Sequence, residues 1–471
     1  MRHIALLGLL GLSGCMVGPS YHAPHMQVPK AYKSQAGWVK AHPDDSAAKG
    51  KWWENFKDPT LDMLESQVAI HNASLAADYY GYEQAVAIAQ EERGQLFPSL
   101  SLSGSATRAR QDMGLGSSAQ FEGQASWSLD IWGKIRRQVQ SNVAQAQASA
   151  ADLANATLSA QAELASDYVY MRSADADIVL LRKTVQAYQQ SLQITENKYA
   201  AGTVAQSDVL TARTALDGAQ SSLEGEYAVR AQYEHAIAIL IGRPPVELSI
   251  PPGPQIAVVP LAPAQVPSTL LQRRPDIAAA ERTVAAENAQ VGVAEAAYFP
   301  DLSLSALGGF AANPISSLFN ASSELWSLGT TATQDIFNGG ARGQAVLAAK
   351  ASYLQSVANY RQTVLTAFGQ VETDLSNLQI YTQQAGLQTR TVADAKRAAQ
   401  IALNEYQAGT ADYTTVSSAQ VTLLSQQQTE LQIQQECLLA SIALYQDLGG
   451  GFQASDLPSA AQIQAKLPFA S

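Results

Sequence analysis

The sequence predicts a mixed α and β protein made of two copies of one elongated unit. Residues 134–201 contain neither Gly nor Pro, so they can form one helix about 100 Å long. The stretch 341–408 is predicted to be its twin, because its apolar residues have the same spacing. Ahead of each long helix, two short segments alternate polar and apolar residues, which is the pattern of a β-hairpin.

Apolar residues recur every seven positions in both long helices. A straight helix drifts away from such a repeat, so each helix is predicted to coil around its neighbours. The first helix carries Leu164, Met171, Ile178, Val185, Leu192 and Tyr199, with a companion seam at Ala174, Leu181 and Tyr188. The second carries Val371, Leu378, Ala385, Val392, Ala399 and Tyr406.

Both long helices end in the same kind of turn. Gly202 and Gly409 stand where a helix C-terminus needs a left-handed residue. A shorter helix is predicted after each turn, at 207–241 and at 412–447. Each copy therefore ends in a pair of helices joined by a tight connection.

The predicted hairpins occupy 99–131 and 301–336, and a Phe-Pro pair precedes each of them. Successive strand residues point to opposite faces, so the alternation gives each strand one apolar and one polar face. The apolar face carries Phe121, Trp127 and Leu129 in the first hairpin and Trp326 in the second, and these residues are predicted to face lipid if the sheet lies in a membrane.

These strands fit two environments. A soluble sheet can alternate in this way, but strands of about ten residues bounded by aromatic side chains also suit an outer-membrane barrel. Four strands are too few to close a barrel. An open sheet edge cannot lie in lipid, because its backbone groups would have no partners there. A membrane location therefore requires several chains to share one barrel.

Proline, glycine and composition set the remaining boundaries. The proline-rich segment 251–267 is predicted to cross from the first copy to the second. The predicted organisation is a signal peptide at 1–14, an extended arm at 15–59, a first repeat at 60–270 that ends in the connector 242–270, a second repeat at 271–447 that begins with helix 275–298, and a tail at 448–471.

The N-terminus has the form of a bacterial lipoprotein signal. A short apolar run is followed by Leu12-Ser-Gly-Cys15, and the run is too short to span a membrane. Cys15 is therefore predicted to carry diacylglycerol and an N-acyl chain, which would anchor the arm to a membrane. The alternative is an ordinary secretory signal in which Cys15 occurs by chance.

Composition and motifs exclude several functions. Charged residues make up only 15% of the chain, against roughly 25% in an average soluble protein, which suits long faces that meet protein, lipid or a water-filled lumen. The 30 basic and 41 acidic residues argue against nucleic-acid binding. The sequence has no phosphate-binding Gly loop, His-Glu-x-x-His motif or nucleophile elbow, so neither an enzyme nor a catalytic residue is predicted.

A metal-binding role and a purely structural role are both disfavoured by the sequence. The histidines of the arm do not stand with Cys or carboxylates at ligand spacing, so no metal site is predicted. A purely structural coiled-coil spacer would explain the seven-residue repeats, but it would leave the alternating strands without a role.

Seven stretches, in order along nearly the whole chain, resemble the outer-membrane factor (TolC-like) family of Gram-negative efflux channels, and in particular its NodT-type lipoprotein branch. One such match alone is weak, but seven together are specific. They are 15–21, 52–75, 128–133, 271–277 with its Leu-Gln-Arg-Arg-Pro-Asp motif, 296–300, 336–340 and 448–451.

The resemblance implies a homotrimer in which three chains share a twelve-stranded transmembrane β-barrel and a long periplasmic α-helical coiled-coil barrel. It implies a passive exit duct for small molecules that has no cofactor and no chemistry of its own. The implied partners are outer-membrane lipid, a periplasmic adaptor and an inner-membrane pump of the resistance-nodulation-division type. A channel for type I protein secretion is the alternative within the family.

The resemblance also implies a gate at the periplasmic tip. The family pattern places a Tyr and an Asp that bond across the two repeats at Tyr406 and Asp208, beside Gly202 and Gly409, and Asp412 can supply part of an acidic ring. The alternative is that Tyr406 is only the last residue of its seam and that Asp208 is a favourable charge at a helix N-terminus.

Overall fold

The computed structural model describes residues 16–26, 51–111, 114–260 and 273–465. They form a four-stranded sheet and helices of very unequal length. The strands are β1 (Ser99–Gln111), β2 (Gly114–Leu129), β3 (Asp301–Ala312) and β4 (Glu324–Thr333). The α-helices are α1 (Pro59–His71), α2 (Ala73–Gly94), α3 (Lys134–Ala200), α4 (Gln206–Leu240), α5 (Pro275–Ala296), α6 (Ala341–Ala408), α7 (Tyr413–Asp447) and α8 (Ala460–Ala465).

Local sequence determines how the first helices begin and end. Asp58 caps α1 by accepting hydrogen bonds from the backbone N–H groups of Thr60 and Leu61, and Pro59 occupies the first helical position, where it is tolerated. Asn72 caps α2, and its side-chain amide also donates to the carbonyl of Leu240 on α4 at 3.0 Å. The break between α1 and α2 is therefore fixed against a neighbouring helix.

The long helices pack as hairpins. Helix α3 lies along α4 and α5, while α6 lies along α5 and α7. At the far end, Gly202 and Gly409 have φ of 73° and 81°, which is the left-handed region that glycine adopts at low cost. In both turns the next Thr donates its N–H back to the last turn of the helix, Thr203 to Lys198 and Thr410 to Glu405.

The hydrophobic core is concentrated midway along the helices. One cluster joins α1, α3, α4 and α7 around Phe56 and Tyr168, and a second joins α5, α6 and α7 around Val364 and Leu375. Because both clusters include α7, they hold the two repeats side by side.

The sheet joins the two repeats in one antiparallel surface with strand order β1-β2-β3-β4. The inner pair is β2 and β3, so each repeat contributes one inner strand and one edge strand. Strand neighbours in register share a face, and Trp127 pairs with Leu304, which pairs with Thr330. The register therefore places the alternating apolar residues of all four strands on one side of the sheet.

The helices meet the sheet at one end only, and the hairpin connections lie at the other end. Within the described ranges, no helix combines the length and the apolar character that crossing a membrane would require. Helix α5 ends at Ala296 rather than at the predicted 298, because the N–H groups of Tyr298 and Phe299 close a tight turn onto Glu295 and Ala296.

Candidate functional site

The apolar face of the sheet contains the residues predicted to face lipid. Phe121 and Trp127 are 39% and 37% exposed and Trp326 is 73% exposed, whereas Leu129 is half-buried beside Leu302. The indole N–H of Trp127 donates to the carbonyl of Leu96 at 2.9 Å, so its polar edge is satisfied near the base of the sheet. Large exposed apolar side chains on one face require an apolar partner or lipid.

The opposite face of the sheet is polar. The hydroxyls of Ser99 and Ser101 donate to the carbonyls of Ser126 and Gln124, and Ser303 and Ser305 continue this surface on β3. A sheet that is apolar on one face and polar on the other fits the wall of a water-filled barrel.

The N-terminal arm is bound at the junction between sheet and helices. The N–H of Val17 donates to the carbonyl of Trp132 at 3.0 Å. The buried guanidinium of Arg137 donates to the carbonyls of Val17 and Gly18, both at 2.9 Å. Gly18 has φ of 95°, and a Cβ there would overlap the backbone of Gly292 on α5. Only glycine therefore fits where the arm crosses α5, and this point is called the crossing.

Below the crossing the arm continues along α5. The amide of Asn288 donates to the carbonyl of Pro19 at 3.2 Å, and the hydroxyl of Tyr21 donates to the carboxylate of Glu281. Cys15, the predicted lipidation site, and the rest of the predicted signal peptide lie outside the described residues. Met16, the next residue, packs against Gly133 at the start of α3.

At the helical tip, Tyr406 is 2% exposed and makes a different hydrogen bond from the predicted one. Its hydroxyl donates to Oγ1 of Thr195 at 3.2 Å, and Thr195 in turn donates to the carbonyl of Ser191 at 2.8 Å. Among the described residues, Asp208 makes no hydrogen bond with Tyr406. Burial raises the pKa of Tyr406, the hydrogen bond to Thr195 partly offsets this, and the nearby charge of Asp208 adds a smaller increase.

Lys198 adds a second link between α3 and α6. Its ammonium donates to the backbone carbonyl of Tyr406 at 2.6 Å and lies 4.6 Å from the centre of the Tyr406 ring. The ring of Tyr413 on α7 meets the Tyr406 ring edge to face at 5.5 Å. The side chains around Tyr406 thus connect both helical hairpins.

Asp412 acts as the cap of α7. Its carboxylate accepts hydrogen bonds from the N–H and the hydroxyl of Thr415 at 3.0 and 2.9 Å. These bonds, the backbone one first, hold the pKa of Asp412 below its ordinary value. The carboxylate is exposed, so it remains a negative charge at the tip.

Sequence reasoning missed Thr195 and Lys198. The position of Thr195 could have been found, because it is the next residue of the companion seam, seven after Tyr188. No pattern in the sequence marks Lys198, because its contact with Tyr406 depends on the distance between α3 and α6.

Two buried ionic clusters stabilise the middle of the molecule. In the first, Arg172 and Arg230 share Asp175, with N···O distances of 2.9 and 2.7 Å, and Arg172 also donates to the carbonyl of Pro251 at 2.8 Å. The N–H of Gly253 donates to Asp175 at 3.0 Å. This cluster attaches the segment after α4 to α3.

The second cluster joins the beginning of α5 to α6 and α7. Arg274 pairs with Asp276 and Asp447 at 2.7 and 3.1 Å and donates to Gln370 at 3.0 Å. Burial, followed by its contact with Asp447, raises the pKa of Asp374. The carboxyl of Asp374 therefore favours its protonated form more than an exposed carboxyl does. Neither cluster was predicted, because such ion pairs form only after distant helices pack.

In the part of the chain that the structure describes, no three His, Cys, Asp or Glu side chains are grouped as a metal ion would require. The regions described above are an apolar sheet face, a polar sheet face and a helical tip whose two hairpins are joined around Tyr406. They are the parts of a channel subunit.

The chain belongs to the outer membrane efflux protein family, whose model matches residues 64–243 and 266–450. It is 30% identical over 467 residues to the solvent efflux pump outer membrane protein SrpC of Pseudomonas putida, covering 96% of this chain and 99% of that one. It is 30% identical over 453 residues to the cation efflux system protein CusC of Escherichia coli K12, covering 94% and 97%.

A solved structure of the outer-membrane channel OprN has the same fold. The TM-score is 0.86 at 31% identity, and the match covers 93% of this chain and 99% of that one. The resemblance and the fold class predicted from the sequence are thereby confirmed, as is the location in the outer membrane with an extension into the periplasm. The family consists of channel proteins rather than enzymes.

Proposed function

We propose that three copies of this outer-membrane efflux protein assemble into the passive exit duct of a tripartite pump. The observation that carries the proposal is the sheet, which has an apolar face, a polar face and two unpaired edges, β1 and β4. An unpaired edge is excluded from lipid. Three chains with four strands each supply the twelve strands of the predicted barrel, in which β4 of one chain pairs with β1 of the next.

In this duct Phe121, Trp127, Leu129 and Trp326 face lipid and the serine-rich face lines the lumen. The helices continue the duct into the periplasm, where their tip meets a periplasmic adaptor and an inner-membrane pump of the resistance-nodulation-division type. The relatives named above are efflux proteins for solvents and for cations, which favours small molecules over secreted polypeptides as the cargo.

A lipid anchor on Cys15 is part of the proposal. The arm places Met16 at the base of the sheet, beside Trp132 and Gly133, where the helices leave the membrane. Acyl chains on the preceding residue would therefore reach the inner leaflet without stretching the arm. Mass spectrometry of the mature N-terminus tests this directly, and an unmodified Cys15 would refute it.

The tip is proposed to be the gate, but with Thr195 and Lys198 rather than Asp208 as the partners of Tyr406. Tyr406 links the two repeats through Thr195 and Lys198, while Asp208 contributes a nearby charge and Asp412 an exposed one. Gly202 and Gly409 permit the tight turns at which the helices end. Closure of three such tips would prevent the periplasm from leaking outward.

Native mass spectrometry and planar-bilayer recording test the duct together. We expect a trimer that survives mild detergent and that conducts ions at a low level. In cells, deletion of the gene should raise the accumulation of a fluorescent pump substrate, and the cloned gene should reverse this. A stable monomer, or a trimer that never conducts, would refute the proposal.

A further inference from the structure

Two arginines lie on the apolar face of the sheet, at the end away from the helices. Arg108 and Arg110 follow Leu100 along β1 at even spacing, so all three side chains point to the same face. The register agrees, because Leu100 pairs with Ala125 and Arg108 pairs with Ser117. Both arginines are exposed, and neither forms an ion pair or hydrogen bond with another described residue.

The height of the apolar band places Arg108 at the level of the lipid headgroups. Such a band is about 25 Å tall on strands tilted by about 40°, which corresponds to about ten residues at about 3.3 Å each. Counted from Leu129, the last apolar residue of β2, the band ends at Ala119, whose partner on β1 is Ala106. Arg108 is the next outward-facing residue beyond Ala106.

An aromatic cluster lies just below this level. Phe121 and Phe310 are paired on β2 and β3, and Phe319 from the β3–β4 connection folds back over both of them. Its ring centre lies 6.3 Å from that of Phe121 and 5.7 Å from that of Phe310. Phe319 is 72% exposed. Aromatic belts mark the boundary between hydrocarbon and headgroups, so the cluster supports the same boundary.

The chemistry of the two arginines selects an anionic group at this boundary. A guanidinium forms two parallel hydrogen bonds with a phosphate. Residues two apart on a strand are about 7 Å apart, so both side chains can reach one phosphorylated headgroup. Because the helices extend into the periplasm, this end of the sheet faces the outer leaflet.

We propose that Arg108 and Arg110 bind the phosphate of a phosphorylated glycolipid in the outer leaflet, with its acyl chains against Phe121, Phe310 and Phe319. The inference rests on the lipid-facing orientation of the sheet in the proposed duct. The alternative role of the two arginines is to form an ion pair with a neighbouring chain. Glu324 shares the outer face with its pairing partner Phe310, and β4 would lie beside β1 of the next chain.

Native mass spectrometry of the detergent-solubilised trimer with added lipid A tests the site. We expect the double variant Arg108→Gln, Arg110→Gln to bind lipid A at least about tenfold more weakly than the parent. Lys134→Gln is the matched control, because it removes an exposed charge near the periplasmic end of the sheet and should leave binding unchanged. Lipid A without its phosphates should bind parent and double variant equally weakly, and inorganic phosphate should not displace lipid A.

Equal affinity of parent and double variant for lipid A would overturn the proposal. So would displacement by inorganic phosphate, which would assign the arginines to a free anion. If Glu324→Gln and the double variant both lower the melting temperature of the trimer in lipid-free detergent, the arginines pair with Glu324 of the neighbouring chain rather than with lipid. Failure of the duct itself is distinguishable, because the mass spectrum would then show monomers before any lipid is added.

Discussion

The hydroxyl of Tyr406 on α6 donates to Oγ1 of Thr195 on α3, and this bond crosses from the second repeat to the first. It lies next to the two glycine turns, so it holds the ends of two helical hairpins together. A net hydrogen bond of this kind contributes about 0.5 to 1.5 kcal/mol, and the proposed trimer would contain three copies.

Removing this bond should weaken the proposed gate and raise the conductance of the channel. Tyr406→Phe and Thr195→Val should each raise single-channel conductance in planar bilayers, and the two together should add little, because they remove the same bond. Tyr199→Phe is the matched control, since Tyr199 occupies the equivalent position in the first repeat and is 46% exposed. If Asp208→Asn opens the channel and Thr195→Val does not, the bond implied by the family resemblance is the functional one.

Lys198 should contribute separately to closure. Lys198→Met keeps the apolar stem but removes the ammonium that contacts the carbonyl and ring of Tyr406. A hydrogen bond from a charged group contributes about 1.5 to 3 kcal/mol, so conductance should rise at least as much as in Tyr406→Phe. Lys183→Met, on the exposed surface of the same helix, should conduct like the parent. Equal conductance in both variants would exclude Lys198 from the gate.

Glu65 should make the stability of the trimer depend on pH. It is 0% exposed, and burial, with a smaller effect of Asp62, raises its pKa well above the ordinary 4.5. The folded protein therefore holds this proton more tightly than the unfolded chain does. Protonation of Glu65 therefore adds to the free energy of unfolding. This contribution is fully present below pH 4.5 and is lost as the pH rises through the folded-state pKa.

Replacing Glu65 tests that effect. Neither carboxyl oxygen has a hydrogen-bond partner among the described residues, and a buried polar group without a partner costs about 1 to 3 kcal/mol. Glu65→Leu should therefore raise the melting temperature at pH 7 to 8 and flatten its pH dependence. Glu91→Gln, on an exposed position of α2, should leave the pH profile unchanged. A lower melting temperature at every pH would contradict the assignment.

Gly18→Ala should loosen the arm. The new methyl group would overlap the backbone of Gly292, and φ of 95° is unfavourable for alanine, so the arm should lift from α5 at a cost of about 1 to 3 kcal/mol. Limited proteolysis should then cut the arm faster. Gly81→Ala is the control, because a Cβ at Gly81 meets nothing within 4 Å and alanine favours the helix. Equal cleavage of the arm in both variants would mean that the crossing is adaptable.

The two faces of β2 should respond differently to charge. Trp127→Arg places a guanidinium on the proposed lipid face, where it should cost up to about 2 to 4 kcal/mol at mid-membrane and less near an interface. Gln124→Arg, on the opposite face, should be mild because the lumen is wet. Urea unfolding of the trimer in vesicles measures the difference. The reverse order would place β2 the other way round.

The long helices and the strands could be predicted because each follows one period over many residues. Helix α3 ends at Ala200 and α6 at Ala408, against predicted ends at 201 and 408, since glycine turns stop both. The apolar residues of all four strands lie on one side of the sheet because of the register between β2 and β3. That register could not be predicted, because the pattern of each strand alone does not contain it. The partner of Tyr406 and the raised pKa of Asp374 depend on the spacing between helices far apart in the chain.

The pairing of β2 with β3 also determines the order in which the molecule can form. The hairpin of β1 and β2 is local, but Leu129 meets Leu302 only after α3, α4 and α5 have been added to the chain. Contacts between distant residues form slowly, because a long loop must close first. The pairing of β2 with β3 should therefore come late, and until then the inner edge of each hairpin has to stay soluble. The frequent serines and glycines of the strands suit that stage, in which a continuously apolar strand would aggregate.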